Sequence, residues 1–259
     1  MEIGINLYTL RDLDESLSAV LQRVANAGYD GVEFAGVEND PSETLDGTGL
    51  TPAGAHVPIE DLESEFETVV ETYRELDCER LIIPYLPEAE FASIEAVETT
   101  ARKLNELGDR LDEEGFCLHY HNHDHEFTDL GETTGFEAFC ERSSVGLELD
   151  LGWIVAAGER PTEFLDRYGD RVELVHAKDT REGTPVELGE GELNLEACVR
   201  TAHEAGVEWL LYEHDTPEDP LTSLEHTGIS RSAHEVKVVA SQEPTQIRGS
   251  SIIAAADSE

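Results

Sequence analysis

Apolar residues along this chain fall into two alternating patterns: short runs rich in β-branched and aromatic residues, and longer stretches in which they recur every three or four positions. The short runs predict eight strands, at Glu2–Tyr8, Gly31–Ala35, Thr51–Val57, Arg80–Tyr85, Phe116–His121, Val145–Asp150, Val172–Ala177 and Glu208–Glu213. The longer stretches Leu13–Ala27, Leu62–Leu76, Ile94–Glu114 and Leu195–Ala205 predict helices, the first with Leu17, Val20, Leu21 and Val24 on one stripe. Gly28, Gly115 and Gly206 each close such a stretch, where a left-handed helix cap is wanted. Asn39–Leu50 holds Pro41, Gly47 and Gly49 and can carry little more than a turn.

Strand and helix alternate from the first residue, which is the order a parallel sheet with crossover helices requires. At 259 residues the chain also has the usual length of one eight-unit barrel. The expected fold class is therefore α/β, a single-domain (β/α)8 TIM barrel over residues 1–226. Residues 227–259 read as an atypical tail, disordered or an oligomer contact, because the pattern fades there and the charge density changes. The first 226 residues carry 14 basic against 54 acidic side chains, and the last 33 carry 3 against 4.

A formal charge of −41 repels nucleic acid and anionic membranes and sets those partners aside. Lysine is confined to Lys103, Lys178 and Lys237, while Asp and Glu are spread over the whole chain. A folded surface that relies on concentrated salt to screen its own repulsion, hence a halophilic source, accounts for this best. Cys78, Cys117, Cys140 and Cys198 stand far apart without a C-x-x-C pair, as expected of buried free thiols in a reducing compartment. The N-terminal segment has no basic and apolar signal pattern, and no long uncharged apolar stretch occurs, so a cytoplasmic protein without a membrane span is expected.

In a parallel barrel the reacting groups come from the C-terminal ends of the strands. Strand three ends in His56, strand five in His121 with Asn122 and His123 following, strand six in Asp150, strand seven in His176 and strand eight in Glu213. Strand two contributes Glu33, and strand one Asn6 and Tyr8. One such residue is ordinarily a hydrogen-bonded rim group, but imidazoles and carboxylates converging from five strands make a mixed N/O site. Such a site suits a divalent cation, Mn²⁺ first, with Co²⁺, Zn²⁺ or Mg²⁺ as alternatives.

The tract His119, His121, His123, His125 alternates with period two, so His119 and His121 share one face while the strand lasts; a surface metal site is the competing reading of the tract. Lys178, directly after strand seven in a lysine-poor chain, is expected to meet a substrate oxygen or a local ion pair. Its bland alternative is a surface pair with Asp179. Gly189-Glu-Gly191 stands where barrels often bind phosphate, but Glu190 and Glu192 would repel it, which favours an unphosphorylated substrate.

The segments GINLYTLR, GYDGVEFAG, GAHVP, HYHNHDHEF, ELDLGW, VHAKD and GEGELNLEACVRTAHEAGVEWLLYEHD, in that order over about Ile3–Leu224, resemble the xylose-isomerase-like barrel superfamily, particularly its sugar phosphate isomerase/epimerase branch. The resemblance implies a metal held by Asp150, His176 and Glu213, with His121 where the related ketose 3-epimerases have Glu. Because that Glu also transfers protons in those epimerases, the second acid/base group is left open among His121, His123 and Glu126. The resemblance further implies a homo-oligomer, with Asn6, Tyr8, Glu33, His56, His123 and Lys178 around a small sugar or cyclitol substrate.

The implied chemistry is removal of an α-proton from a keto sugar by Glu213 through a metal-stabilised enediolate. Return of the proton to the opposite face epimerises and return to the neighbouring carbon isomerises. Loss of a β-hydroxyl dehydrates, as in inosose dehydratases, and a keto-glycoside lyase or hydrolase would release an aglycone. An endonuclease-IV-type nuclease fits poorly, since it needs a strand-four histidine where this chain has Ile83-Pro-Tyr85, and a non-enzymatic sugar-binding protein would not need so many polar strand ends.

Overall fold

Apolar runs bounded by Gly, Pro and charged residues form the predicted strands, and helices lie between most of them. The computed structural model describes residues 1–36, 45 and 47–225, together with the backbone of 229–232 and 235–238. In chain order the elements are β1 (Glu2–Asn6), α1 (Leu17–Ala27), β2 (Gly31–Ala35), β3 (Thr51–His56), α2 (Ile59–Ser64), α3 (Phe66–Glu75), β4 (Arg80–Ile83), α4 (Ile94–Glu113) and β5 (Cys117–His121). Then follow α5 (Gly135–Arg142), β6 (Gly146–Asp150), α6 (Leu151–Ala156), α7 (Pro161–Tyr168), β7 (Val172–Ala177), β8 (Asp179–Arg181), β9 (Thr184–Val186), α8 (Leu195–Ala205), β10 (Trp209–Tyr212) and α9 (Pro220–Glu225).

Eight of these strands close into a barrel in the order β1-β10-β7-β6-β5-β4-β3-β2, with every pairing parallel. The barrel is the one expected. The turn assigned to Asn39–Leu50 lies mostly outside the described residues, as does most of the 227–259 tail. Within that tail β11 (Ile229–Ser232) pairs antiparallel with β12 (Glu235–Val238).

Local chemistry sets the helix boundaries. The stretch expected from Leu13 begins at Leu17, because the Ser16 side chain accepts a hydrogen bond from Ala19 N and caps the helix there. Leu62–Leu76 divides at Glu65, whose non-helical backbone (φ −132°, ψ 33°) ends α2 and starts α3. Gly28 and Gly206 close their helices in the left-handed region, at φ 91° and 87°. One expectation about cysteine is corrected: Cys78, Cys140 and Cys198 are buried free thiols, but Cys117, first in β5, is exposed because it opens onto the N-terminal end of the barrel.

The main core lies between the strands and the surrounding helices, where Leu21, Leu62, Leu104, Leu111, Phe136 and Phe139 are fully or almost fully buried. Inside the barrel the composition changes with height. A small apolar floor of Ala53, Leu174, Trp209 and Leu211 fills the lower part. It fits because the facing strands carry glycine: a Cβ on Gly31 would lie 2.6 Å from the Trp209 ring, and one on Gly4 2.6 Å from Leu211. Two residues further along β7 and β10 the same inward face presents His176 and Glu213, so the period-two pleat lifts a polar layer directly above the apolar floor.

Candidate active site

The polar layer is built in two tiers joined by two imidazoles. In the lower tier Glu148, from the middle of β6, accepts through Oε2 from His56 Nε2 at 2.9 Å and His121 Nδ1 at 3.1 Å. Glu33 Oε2 accepts from His176 Nε2 at 2.7 Å and from the Asn6 amide at 2.5 Å. The upper tier holds Asp150 and Glu213. His176 Nδ1 meets Glu213 Oε2 at 2.8 Å, and His121 Nε2 points toward Asp150 Oδ2 at 3.7 Å. Each of these two rings thus faces a carboxylate below and another above.

Asp150 is aimed by the start of α6. Its Oδ1 caps the helix by accepting from Trp153 N at 2.8 Å, and the Asn122 side chain pairs with its backbone as a further strand would. The free Oδ2 therefore projects into the upper tier, 2.8 Å from Lys178 Nζ, which also lies 2.7 Å from Glu213 Oε2 and 2.8 Å from Asp215 Oδ2. Lys178 is only 1% exposed. It passes close to α6 because position 152 is glycine, whose Cβ would otherwise stand 2.7 Å from Lys178 Cγ.

These neighbours determine the charges. Burial alone would lower Lys178, but Asp150, Glu213 and Asp215 outweigh it and hold the ammonium charged. Burial would also lower His176, yet Glu148, Glu213 and Glu33 raise it well above the usual imidazole range, so the ring between two carboxylates carries both protons. For His121 burial prevails and lowers the pKa to about 3, a neutral ring. Burial and the adjacent Glu148 push Glu33 up to about 7, and burial pushes Asp150 up to about 6 against the pull of Lys178. Glu148 and Glu213 are held well below the carboxylate range, burial being outweighed by His176 for the first and by Lys178 and His176 for the second.

Above this layer opens a cavity of about 390 Å³ lined by Tyr8, Ala35, Gly36, His56, Pro58, Pro84, Tyr85, His121, His123, Lys178, Glu213 and Asp215. Tyr8 and Tyr85, the exposed large apolar side chains of the described residues, both stand at its mouth. His123 packs flat against Trp153, with ring centroids 5.8 Å apart.

Of the residues expected around a substrate, Tyr8, His56, His123 and Lys178 reach this cavity, and Asn6 and Glu33 do not. Those two are wholly buried below it, because the pleat turns them into the hydrogen-bonded lower tier, where Asn6 donates to Glu33 and Glu33 meets His176. Lys178 is not the surface partner of Asp179. The Asp179 carboxylate turns the other way and accepts from the backbone N–H groups of Thr180, Gly189, Gly191 and Leu193 at 2.9 to 3.0 Å. The loop at the usual phosphate position has therefore already spent its donors on an internal anion.

The histidine tract splits four ways. His119 turns toward the N-terminal end, near Glu173, and His121 joins the two tiers. His123 lines the cavity, whereas His125 bonds Leu86 O at 2.9 Å. Glu126 is fully buried, bonds the Tyr120 hydroxyl at 2.5 Å and does not line the cavity. Sequence reasoning missed Glu148 and Asp215. Glu148 was accessible through the pleat, since it stands two residues before Asp150 and must share its face.

Among the described residues two groups bring metal-competent atoms within 4.8 Å of one another: His56, His121, Glu148 and His176, and His121, Asp150, His176 and Glu213. The second group fits a divalent cation better. Its His121 and His176 nitrogens stand 3.7 and 3.9 Å from Asp150 Oδ2, an oxygen that has the Lys178 charge beside it but no aligned hydrogen-bond donor, whereas the first group is closed on itself by hydrogen bonds. Two nitrogens and two carboxylate oxygens are also a common donor set for such ions.

Residues 21–233 match the family model described as xylose isomerase-like TIM barrel. The chain belongs to this family. An inosose dehydratase of Lacticaseibacillus casei is 32% identical over 108 residues, which cover 40% of this chain and 35% of that relative, so the match spans about a third of the relative's length. A sugar phosphate isomerase/epimerase from Parabacteroides distasonis superposes with a TM-score of 0.75 at 22% identity, covering 87% of this chain and 92% of the other. The probable 3-DHS dehydratase of Bacillus anthracis gives 0.70 at 12% identity, covering 88% and 97%. These structural likenesses show the same barrel fold. No helix of the described residues is long and apolar enough to cross a membrane.

Proposed function

We propose that this chain is a metal-dependent carbohydrate isomerase or epimerase acting on an unphosphorylated keto sugar or cyclitol. The observation that carries this reading is the His121, Asp150, His176, Glu213 group beneath an open cavity, with Glu213 belonging to both. A divalent cation held there supplies Lewis-acid polarisation of a substrate carbonyl and its neighbouring hydroxyl. Glu213, ionised and at the cavity floor, takes the α-proton. Lys178, whose ammonium borders the same cavity, donates to a substrate oxygen. His123, a neutral ring with its pKa lowered to about 2 chiefly by burial, offers a lone pair and a donor on the cavity wall without adding charge. Asp215 on the wall and the spent donors of the 189–193 loop disfavour a phosphate group.

A dehydratase is the second reading. It is favoured by the inosose dehydratase relatives and by His121 standing where epimerases of this superfamily have Glu. The test is elemental analysis of protein purified at high salt, alongside the Glu213→Gln, His176→Ala double variant. About one equivalent of divalent metal, lost in the double variant, is expected. Keto sugars and inososes incubated in D2O then separate the readings: deuterium uptake without loss of water supports epimerisation, and an unsaturated product supports dehydration. Wild-type protein that stays metal-free after incubation with Mn²⁺ overturns the metal-dependent reading.

A further inference from the structure

Glu148 is shared by three imidazoles. It is fully buried, and its Oε2 lies 2.9 Å from His56 Nε2, 3.1 Å from His121 Nδ1 and 3.3 Å from His176 Nε2. We propose that Glu148 is a positioning residue that fixes the tautomer of His121, and with Glu33 that of His176, so that each ring directs a lone pair at the metal while Glu148 itself stays off the ion. The proposal rests on the metal-binding reading above.

The argument follows from counting protons. An imidazole that ligates a metal has a single N–H, and among the described residues the carboxylate within hydrogen-bond distance of a His121 ring nitrogen is Glu148, at Nδ1. The proton therefore resides on Nδ1 and the Nε2 lone pair faces the upper tier. His176 Nε2–H is likewise claimed from below, by Glu33 at 2.7 Å with Glu148 at 3.3 Å. Its Nδ1, 2.8 Å from Glu213 Oε2, is then the nitrogen left for a cation. A carboxylate behind a ligating imidazole orients the ring and raises its basicity, and removing such a partner typically weakens metal binding about 10–100-fold.

Why Glu148 is not itself a ligand follows from the same distances. Its Oε2 is already shared among imidazole donors in a tier closed by contacts of 2.7 to 3.3 Å, which leaves no gap for an ion without breaking them. Glutamine in its place keeps the volume but removes the charge and turns one side of the group into a donor, which His121 Nδ1–H cannot accept.

The experiment compares wild type, Glu148→Gln and Glu213→Gln at high salt, with far-UV circular dichroism to confirm folding. Co²⁺ affinity is measured by competition with a chromophoric chelator, and ¹⁵N imidazole shifts of His121 are recorded in the metal-free protein. One Co²⁺ per wild-type chain is expected, with Glu148→Gln still binding one but about 10–100-fold more weakly and with an altered Co²⁺ absorption. The His121 proton should move from Nδ1 to Nε2 in Glu148→Gln and remain in place in Glu213→Gln. Unchanged affinity, or an unchanged His121 tautomer, overturns the proposal. Two Co²⁺ per wild-type chain with one lost in Glu148→Gln also overturns it, by making Glu148 a ligand. If the wild type binds no metal while the tautomer still shifts in Glu148→Gln, the metal reading fails and the orienting role of Glu148 stands alone.

Discussion

The Lys178 ammonium lies 2.7 Å from Glu213 Oε2, a buried ion pair inside the very group that would hold a metal. The same nitrogen touches Asp150 and Asp215, so it is the cation that lets three carboxylates stand together when no metal is bound. Replacing Lys178 with Met removes that charge and leaves the acids facing one another. The metal-free protein should lose about 3–5 kcal/mol of stability, the usual cost of breaking a buried pair from one side. A bound divalent cation supplies the missing charge, so Mn²⁺ should recover more stability in Lys178→Met than it adds to wild type. Urea unfolding with EDTA and with Mn²⁺ checks this. An equal loss under both conditions would mean that Lys178 and the metal serve different carboxylates.

The contrast between Asp150 and Glu148 marks how far the sequence carries. Asp150, His176 and Glu213 stand at or just past strand ends, and barrel geometry alone brings strand ends together. The whole barrel was legible for the same reason, since eight apolar runs with helices between them admit few other closures. Glu148 stands in mid-strand, and although the pleat puts it on the face of Asp150, its partners from β3, β5 and β7 are set only by the closed barrel. Asn6 and Glu33 both face inward, but their depth depends on the register of β1 against β2, which the sequence does not specify. The β8–β9 hairpin was invisible because its residues carry no apolar pattern; it exists around the four hydrogen bonds gathered by Asp179.

That carboxylate gives the next prediction. Asp179 accepts from four backbone N–H groups, two on each oxygen, and asparagine can offer an acceptor to only one of those pairs. Asp179→Asn should destabilise the protein by about 2–4 kcal/mol, from lost charge-assisted bonds and unsatisfied donors. Gly191→Ala should do comparable damage, because its Cβ would stand 2.1 Å from Asp179 Oδ1 and 2.4 Å from the Thr180 carbonyl oxygen. Chemical denaturation of both variants tests the point. Inorganic phosphate should not stabilise the wild type, since the loop donors are taken.

A pH dependence is expected at the opposite end of the barrel. Glu173 bonds Arg80 Nε at 2.7 Å and lies beside His119, and the His119 interaction first, then Arg80, lowers its pKa from about 4.5 to about 2. A carboxylate held lower in the folded chain than in the unfolded one contributes stability above about pH 4.5 and loses it as pH falls toward about 2. The side chain is 41% exposed, so after solvent screening its contribution is on the order of 1 kcal/mol or less. The stability difference between wild type and Glu173→Gln should therefore be fully present above about pH 5 and shrink as pH falls from about 4.5 toward about 2. A difference that stays constant down to pH 3 would assign the effect to packing.

The acidic surface leads to the last prediction. With 58 acidic and 17 basic side chains, most surface carboxylates have no basic partner, and the pairs that exist, such as Arg23 with Glu15, compensate only a few of them. Repulsion among the remainder acts over a Debye length of about 10 Å at 0.1 M salt and about 3 Å at 1 M. The melting temperature should therefore rise steeply with KCl up to about 1 M, where neighbouring carboxylates become screened from one another, and more slowly beyond it. Sucrose separates this cause from a general one, since an excluded osmolyte strengthens burial without screening charge. Stabilisation by KCl that sucrose reproduces at equal osmolality would remove charge repulsion as the reason. Stabilisation by KCl alone would identify the carboxylate surface as what sets the working salt range of this barrel.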